Sequence, residues 1–237
     1  MNIRPSAVWR SALVTVLFVG TGLASRAWMR WPDVPSLVLA NPSSTALLER
    51  EIGLGAPERV SRPWLRLADV SPHLVRAVLV AEDIGFYSHS GFAWAELRLV
   101  AGETMRGEAP LRGASTITQQ LAKNLWLSPQ RSVWRKVKEA ALTVELEHSL
   151  SKRRILELYL NVVTFGPGVF GVEAAARRYF DKPALFLTEH EGAMLAAGLS
   201  RPSIWNPESE SEAYSGRVDL IERRMEIAEF LWRHVLQ

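Results

Sequence analysis

The chain has 237 residues, 48% of them hydrophobic and 22% charged, which supports one main domain with a short appendage and excludes a disordered tail. Its formal net charge of +3 is mildly basic and suits an anionic partner such as a membrane surface or a pyrophosphate, although charge balance alone does not separate these from nucleic acid. Cysteine is absent, so disulfides, thiolate nucleophiles and cysteine-held metals are excluded while the compartment stays open.

Between Arg10 and Arg26 the segment from Ser11 to Ser25 is uncharged and mostly apolar. A full helical span needs about 20 apolar residues, and Trp9, Arg10, Arg26 and Trp28 are placed to extend this short run into the interfaces. It reads as a retained anchor or as a cleaved signal peptide, with Gly22 and Ala24 at cleavage spacing; a helix of a soluble core is the third reading. Arg4 and Arg10 orient the first two alike, leaving the rest of the chain outside the cytoplasm.

Residues 31–63 hold Pro32, Pro35, Pro42, Pro57 and Pro63 and read as an extended stalk. Helical patterning follows over 64–237. Ser71 before Pro72 predicts a capped helix through Ala81. Thr116 with Gln119, and Thr188 with Glu191, are capping boxes. Ser132 is placed to cap a long helix through Leu150, with Val133, Val137, Ala140, Ala141 and Val144 as its apolar face. Further helices are expected from Ser151 to Leu160, Ala174 to Tyr179 and Arg217 to Trp232. Loops are expected at 107–114, 164–171 and 200–207, so the chain reads as mainly α with few strands.

Three segments carry candidate chemistry. Glu82 and Asp83 stand at a helix C-terminus, where a carboxylate meets the negative end of the macrodipole; a buried Glu there suits proton transfer, with His89 near enough to tune it. On spacing alone the pair reads more readily as solvated surface acids, with His89 a hydrogen-bonder of the loop. From Gly113 to Asn124, Gln119 and Lys123 share a helix face near Gln120 and Asn124, a polar cationic strip suited to phosphate and sugar, or else an ordinary wet face. From Arg131 to Glu139, Arg135 and Glu139 are spaced to pair, with Lys138 adding charge, the spacing also of an exposed helix ion pair.

Together these segments resemble the peptidoglycan glycosyltransferase family, whose members occur alone or fused to penicillin-binding transpeptidase domains. Glu82, Asp83, Phe86, His89 and Gly91 match its first motif. Every defined position from Gly113 to Asn124 matches the second. Arg135, Lys136 and Glu139 match the third, Lys152, Ile155, Leu156, Glu157, Tyr159, Leu160 and Asn161 the fourth, and Ala196, Gly198, Leu199, Pro202, Asn206 and Pro207, more loosely, the fifth. With no transpeptidase before Gln237, the resemblance is to the monofunctional biosynthetic transglycosylases.

The resemblance implies a lysozyme-like, mainly α-helical domain with a small membrane-associated lobe and an N-terminal transmembrane helix. It implies polymerisation of lipid II through β-1,4 bonds with inversion, by a single-pass enzyme of the bacterial inner membrane whose catalytic domain is periplasmic. Glu82 becomes the expected base and Glu139 the second carboxylate, organising cations or a metal. Lys123, Arg131, Arg135 and Lys138 become phosphate ligands, and Ser115, Thr116, Gln119, Gln120 and Asn124 shape the sugar sites, with Phe86, His89 and Arg98 as further substrate contacts. No cofactor is obligatory, though Glu139 is open to Mg or Mn. The expected partners are lipid II, the lipid-linked strand, the membrane and cell-wall synthesis or division proteins, with no nucleic acid. A lysozyme-like glycan-cleaving enzyme and a catalytically silent membrane scaffold are the alternatives.

Overall fold

Helices begin where side chains satisfy the first free N–H groups. Thr116 and Thr188 each accept from the backbone three residues on, while Gln119 and Glu191 return the bond, so both expected capping boxes form. Ser132 caps likewise by accepting from the Arg135 N–H. Ser71 does not cap: its hydroxyl donates to the Leu187 carbonyl at 2.7 Å, tying its loop to a distant segment.

The computed structural model describes residues 31–54, 63–94, 98, 102, 115–130 and 132–236. Its helices are α1 (Ala46–Gly53), α2 (Pro72–Glu82), α3 (Ile117–Trp126), α4 (Val133–Ser149), α5 (Lys152–Val162), α6 (Val172–Phe180), α7 (Glu189–Gly198), α8 (Glu212–Ile227) and α9 (Trp232–Val235). Strands β1 (Thr164–Gly166) and β2 (Val169–Phe170) pair antiparallel, a hairpin in the span expected as loop. Val34–Gln237 forms one compact unit.

Helices α2, α7 and α8 pack on one another, and α3 packs on α1, α4 and α5. Gly192 lets α7 approach closely: a Cβ there would stand 3.0 Å from the Leu74 backbone of α2. Leu74, Val78 and Leu79 of α2 are fully buried, as are Ile117 and Leu121 of α3 and Leu156 and Tyr159 of α5. The Ile117 N–H of α3 donates to the Asp83 carboxylate at 3.0 Å, which places the end of α2 beside the start of α3.

Two further expectations change. Within 31–63, Pro35–Val38 forms a 3-10 turn and α1 buries Leu47 and Leu48 against Phe170, so this stretch is partly packed structure; its apolar residues outweigh the prolines around them. On α4 the buried residues are Glu139, Leu142, Thr143 and Leu146, whereas Val133 is 84% and Trp134 76% exposed and Val137 and Val144 also face out. Leu142 and Leu146 bury more area than the valine and alanine stripe and win the inward face.

Among the described residues no helix is long and apolar enough to cross a membrane. The expected anchor at 1–30, the loop at 107–114 and Arg131 lie outside those residues.

Candidate functional site

Glu82 closes α2, whose apolar residues carry it to the meeting point with α3. Its Oε2 accepts from the Gln120 amide at 2.7 Å, and Gln120 Oε1 accepts from the Tyr159 hydroxyl at 3.0 Å. The buried phenol therefore fixes which way the amide faces. Among the described residues no hydrogen bond reaches Glu82 Oε1, and Gln120 holds Oε2. Burial raises the Glu82 pKa, opposed by the Gln120 hydrogen bond and the charges of Arg217 and Lys123, with Asp83 adding to the rise. Tyr159 is pushed well above its ordinary range by burial and by Glu82 and Asp83, which keeps it a neutral donor.

Asp83 fastens the frame. Its Oδ2 accepts from the Ile117 N–H at 3.0 Å and its Oδ1 lies 2.9 Å from His89 Nε2. Gly91 N–H donates to His89 Nδ1 at 3.1 Å, so Nδ1 is an acceptor and the proton sits on Nε2, facing Asp83. Thr116 closes the ring by donating to the Gly91 carbonyl at 2.7 Å. Gly91 has φ +88°, and a Cβ there would stand 2.7 Å from Thr143 Cγ2, so the turn requires glycine.

Several residues expected at the substrate are thereby committed inside the protein. Both ring nitrogens of His89 are used. Phe86 is fully buried, with Lys152 Nζ 4.4 Å above its ring, and Lys152 also pairs with Glu147 at 2.8 Å. Thr116 and Gln119 are spent on the cap. Ser115 is half-buried and offers its carbonyl to Gln120 at 3.5 Å. These side chains hold the shape of the site, which sequence spacing does not distinguish from touching a ligand.

The cations gather on α3 and α4. Lys123 is reachable by solvent and lines a pocket with Asn124, Leu127, Leu47 and Arg50; Arg50 was not anticipated, because α1 was read as stalk. Surrounding protein lowers the Lys123 pKa by desolvation, countered by Glu139 and Glu82 and aided by Arg135 and Lys136. Glu139 is buried, with Oε2 2.8 Å from Arg135 Nη1 and Oε1 paired to Lys136. Lys138 is half-buried on α4 and Arg98 is exposed, and no contact joins Arg98 to Glu82 among the described residues.

A metal at Glu139 does not fit this arrangement, because both carboxylate oxygens are engaged by cations. Among the described residues no group of three or more His, Asp or Glu side chains is placed to hold an ion. The arrangement thus offers a half-buried carboxylate of raised pKa next to a helix bearing cations, suited to moving a proton beside a phosphorylated ligand.

The family model described as Transglycosylase matches residues 49–226. The chain is 45% identical over 206 residues, 87% of its own length and 87% of the relative's, to the biosynthetic peptidoglycan transglycosylase of Azoarcus sp. (strain BH72). It is 42% identical over 212 residues, covering 90% of this chain and 84% of the relative, to that of Alcanivorax borkumensis. With the protein of the same name from Methylobacillus flagellatus it shares 37% over 225 residues, 93% and 96% of the two chains. The chain belongs to the transglycosylase family.

Proposed function

We infer that this chain is a peptidoglycan transglycosylase that polymerises lipid II into glycan strands. The family match and the relatives' names support the activity. The observation that carries the mechanism is Glu82, half-buried, with its pKa raised by desolvation and its Oε2 held by Gln120.

In this reading Glu82 takes the proton from the 4-hydroxyl of the acceptor sugar. That oxygen attacks the anomeric carbon of the donor from the face opposite the undecaprenyl pyrophosphate, whose bond breaks. An α-linked donor then yields a β-1,4 bond, and the pyrophosphate leaves with the electron pair. Lys123, Arg131, Arg135 and Lys138 receive its charge, and Glu139 organises Arg135 and Lys136. Gln120 sets the Glu82 carboxylate, while Ser115 and Asn124 border the sugar sites.

Residues 1–30 supply a cytoplasmic tip and single-pass anchor in the inner membrane, with the catalytic domain periplasmic. That domain begins ahead of residue 64, since α1 packs on α3. The outward apolar face of α4 supports a lobe resting on the membrane, where Trp134 and the flanking Arg135 and Lys136 match an interface.

Incubating the full chain with labelled lipid II in detergent tests the reading. Polymer with release of undecaprenyl pyrophosphate is the expected result. Cleavage of preformed glycan without polymer would select the lysozyme-like alternative, since a Glu with raised pKa also suits a general acid.

A further inference from the structure

Glu82 ends a helix with no basic residue in its last turn, and Asp83 follows it directly. Two carboxylates and the negative end of the macrodipole therefore meet at one place, which disfavours an ionised Glu82. Compensation arrives from the far end of the chain. Arg217 of α8 donates from Nη2 to the Ala81 carbonyl at 3.2 Å, satisfying one of the acceptors that a helix end leaves open. Its Nε–H is buried and has no hydrogen-bond partner among the described residues. Such donors are uncommon and call for a reason.

We propose that Arg217 is a positioning residue for Glu82, anchoring the last turn of α2 through the Ala81 carbonyl and setting a permanent positive charge beside the carboxylate that takes the proton. The proposal rests on the reading of Glu82 as the base.

Among the described residues, the groups facing Glu82 are Gln120 and Lys123 from α3, Asp83 from its own turn and Arg217 from α8, with Tyr159 of α5 behind Gln120. Arg224, also of α8, lines the pocket that borders Glu82. The two cations that act on Glu82 have different duties. Lys123, in the proposed mechanism, meets the pyrophosphate, so its charge is shared with the ligand during turnover. Arg217 is held by a backbone carbonyl of the turn that carries Glu82, so its charge stays with Glu82. It opposes the burial that raises the Glu82 pKa and keeps the base ionised.

The test is the pH profile of kcat/KM for lipid II polymerisation by the full-length protein in detergent, for wild type, Arg217→Lys, Arg217→Gln and Glu82→Gln. Glutamine keeps a donor for the Ala81 carbonyl without the charge. Its acid limb is expected to move to higher pH by roughly half to one unit, a three- to tenfold loss on the limb, with the rate above it near wild type. Arg217→Lys is expected to keep the limb near its wild-type position. If the glutamine variant does not accumulate, Arg217→Met supplies the same uncharged comparison. An unmoved limb overturns the proposal, whether the rates fall equally at every pH or stay as in wild type. Glu82→Gln separates the two readings: an active Glu82→Gln removes the base itself, whereas an inactive one beside an unshifted Arg217→Gln limb removes only the role of Arg217.

Discussion

Gln120 donates its side-chain N–H to Glu82 Oε2 at 2.7 Å. The bond eases, without cancelling, the desolvation cost of ionising this half-buried carboxylate, so the raised pKa of Glu82 carries a stability consequence. A raised folded pKa means stability that is fully present below the ordinary carboxylate range and lost as pH rises through the folded value. Glu82→Gln removes that loss while still accepting from Gln120. It should melt above wild type at neutral pH, with the gap closing as pH falls toward about 4. Thermal melts across pH check this; a gap that does not depend on pH would contradict it.

The Asp83 carboxylate serves the Ile117 N–H and His89 together. Asp83→Ala should destabilise by roughly 2–4 kcal/mol, because the Ile117 N–H and His89 lose their shared carboxylate partner. A double-mutant cycle with His89→Ala should give a coupling of about 1 kcal/mol or more. Additive denaturation energies would show that the ring of bonds is not one unit.

Lys123→Ala should weaken lipid II binding roughly 10- to 100-fold, the equivalent of a lost charge-assisted hydrogen bond, while the melting temperature changes little because the side chain is solvent-reachable. Calorimetric titration and melting measure the two effects. A variant that melts early yet binds normally would make Lys123 a structural residue.

Exposed Val133 and Trp134 on α4 lead to a different readout. Trp134→Glu should leave the melt and the rate in detergent near wild type, yet reduce association with anionic lipid vesicles several-fold when residues 1–30 are removed. Unchanged vesicle binding would take this face away from the membrane.

What the sequence made legible were local devices. Thr116 with Gln119 and Thr188 with Glu191 stand three apart, and their caps form whatever the tertiary surroundings. The Arg135–Glu139 pair was equally readable at i and i+4. The inward face of α4 was not, since two apolar stripes share the helical period and only packing against α3 selects Leu142 and Leu146. Phe86 and His89 sit in a motif with Glu82, and spacing does not say which side chain turns inward. Asp83 stood in plain view, but its role depends on Ile117, 34 positions on. Arg217 meets Ala81 across 136 positions, beyond the reach of any periodicity.

The central claim is that Glu82 takes the acceptor's proton. Polymerisation of labelled lipid II by Glu82→Gln, at equal amounts of folded protein, tests it most directly. The amide keeps the shape and the bond to Gln120 but takes no proton, so strand formation should fall on the order of 100-fold or more with lipid II binding retained. Near-normal strand formation by this variant would contradict the account.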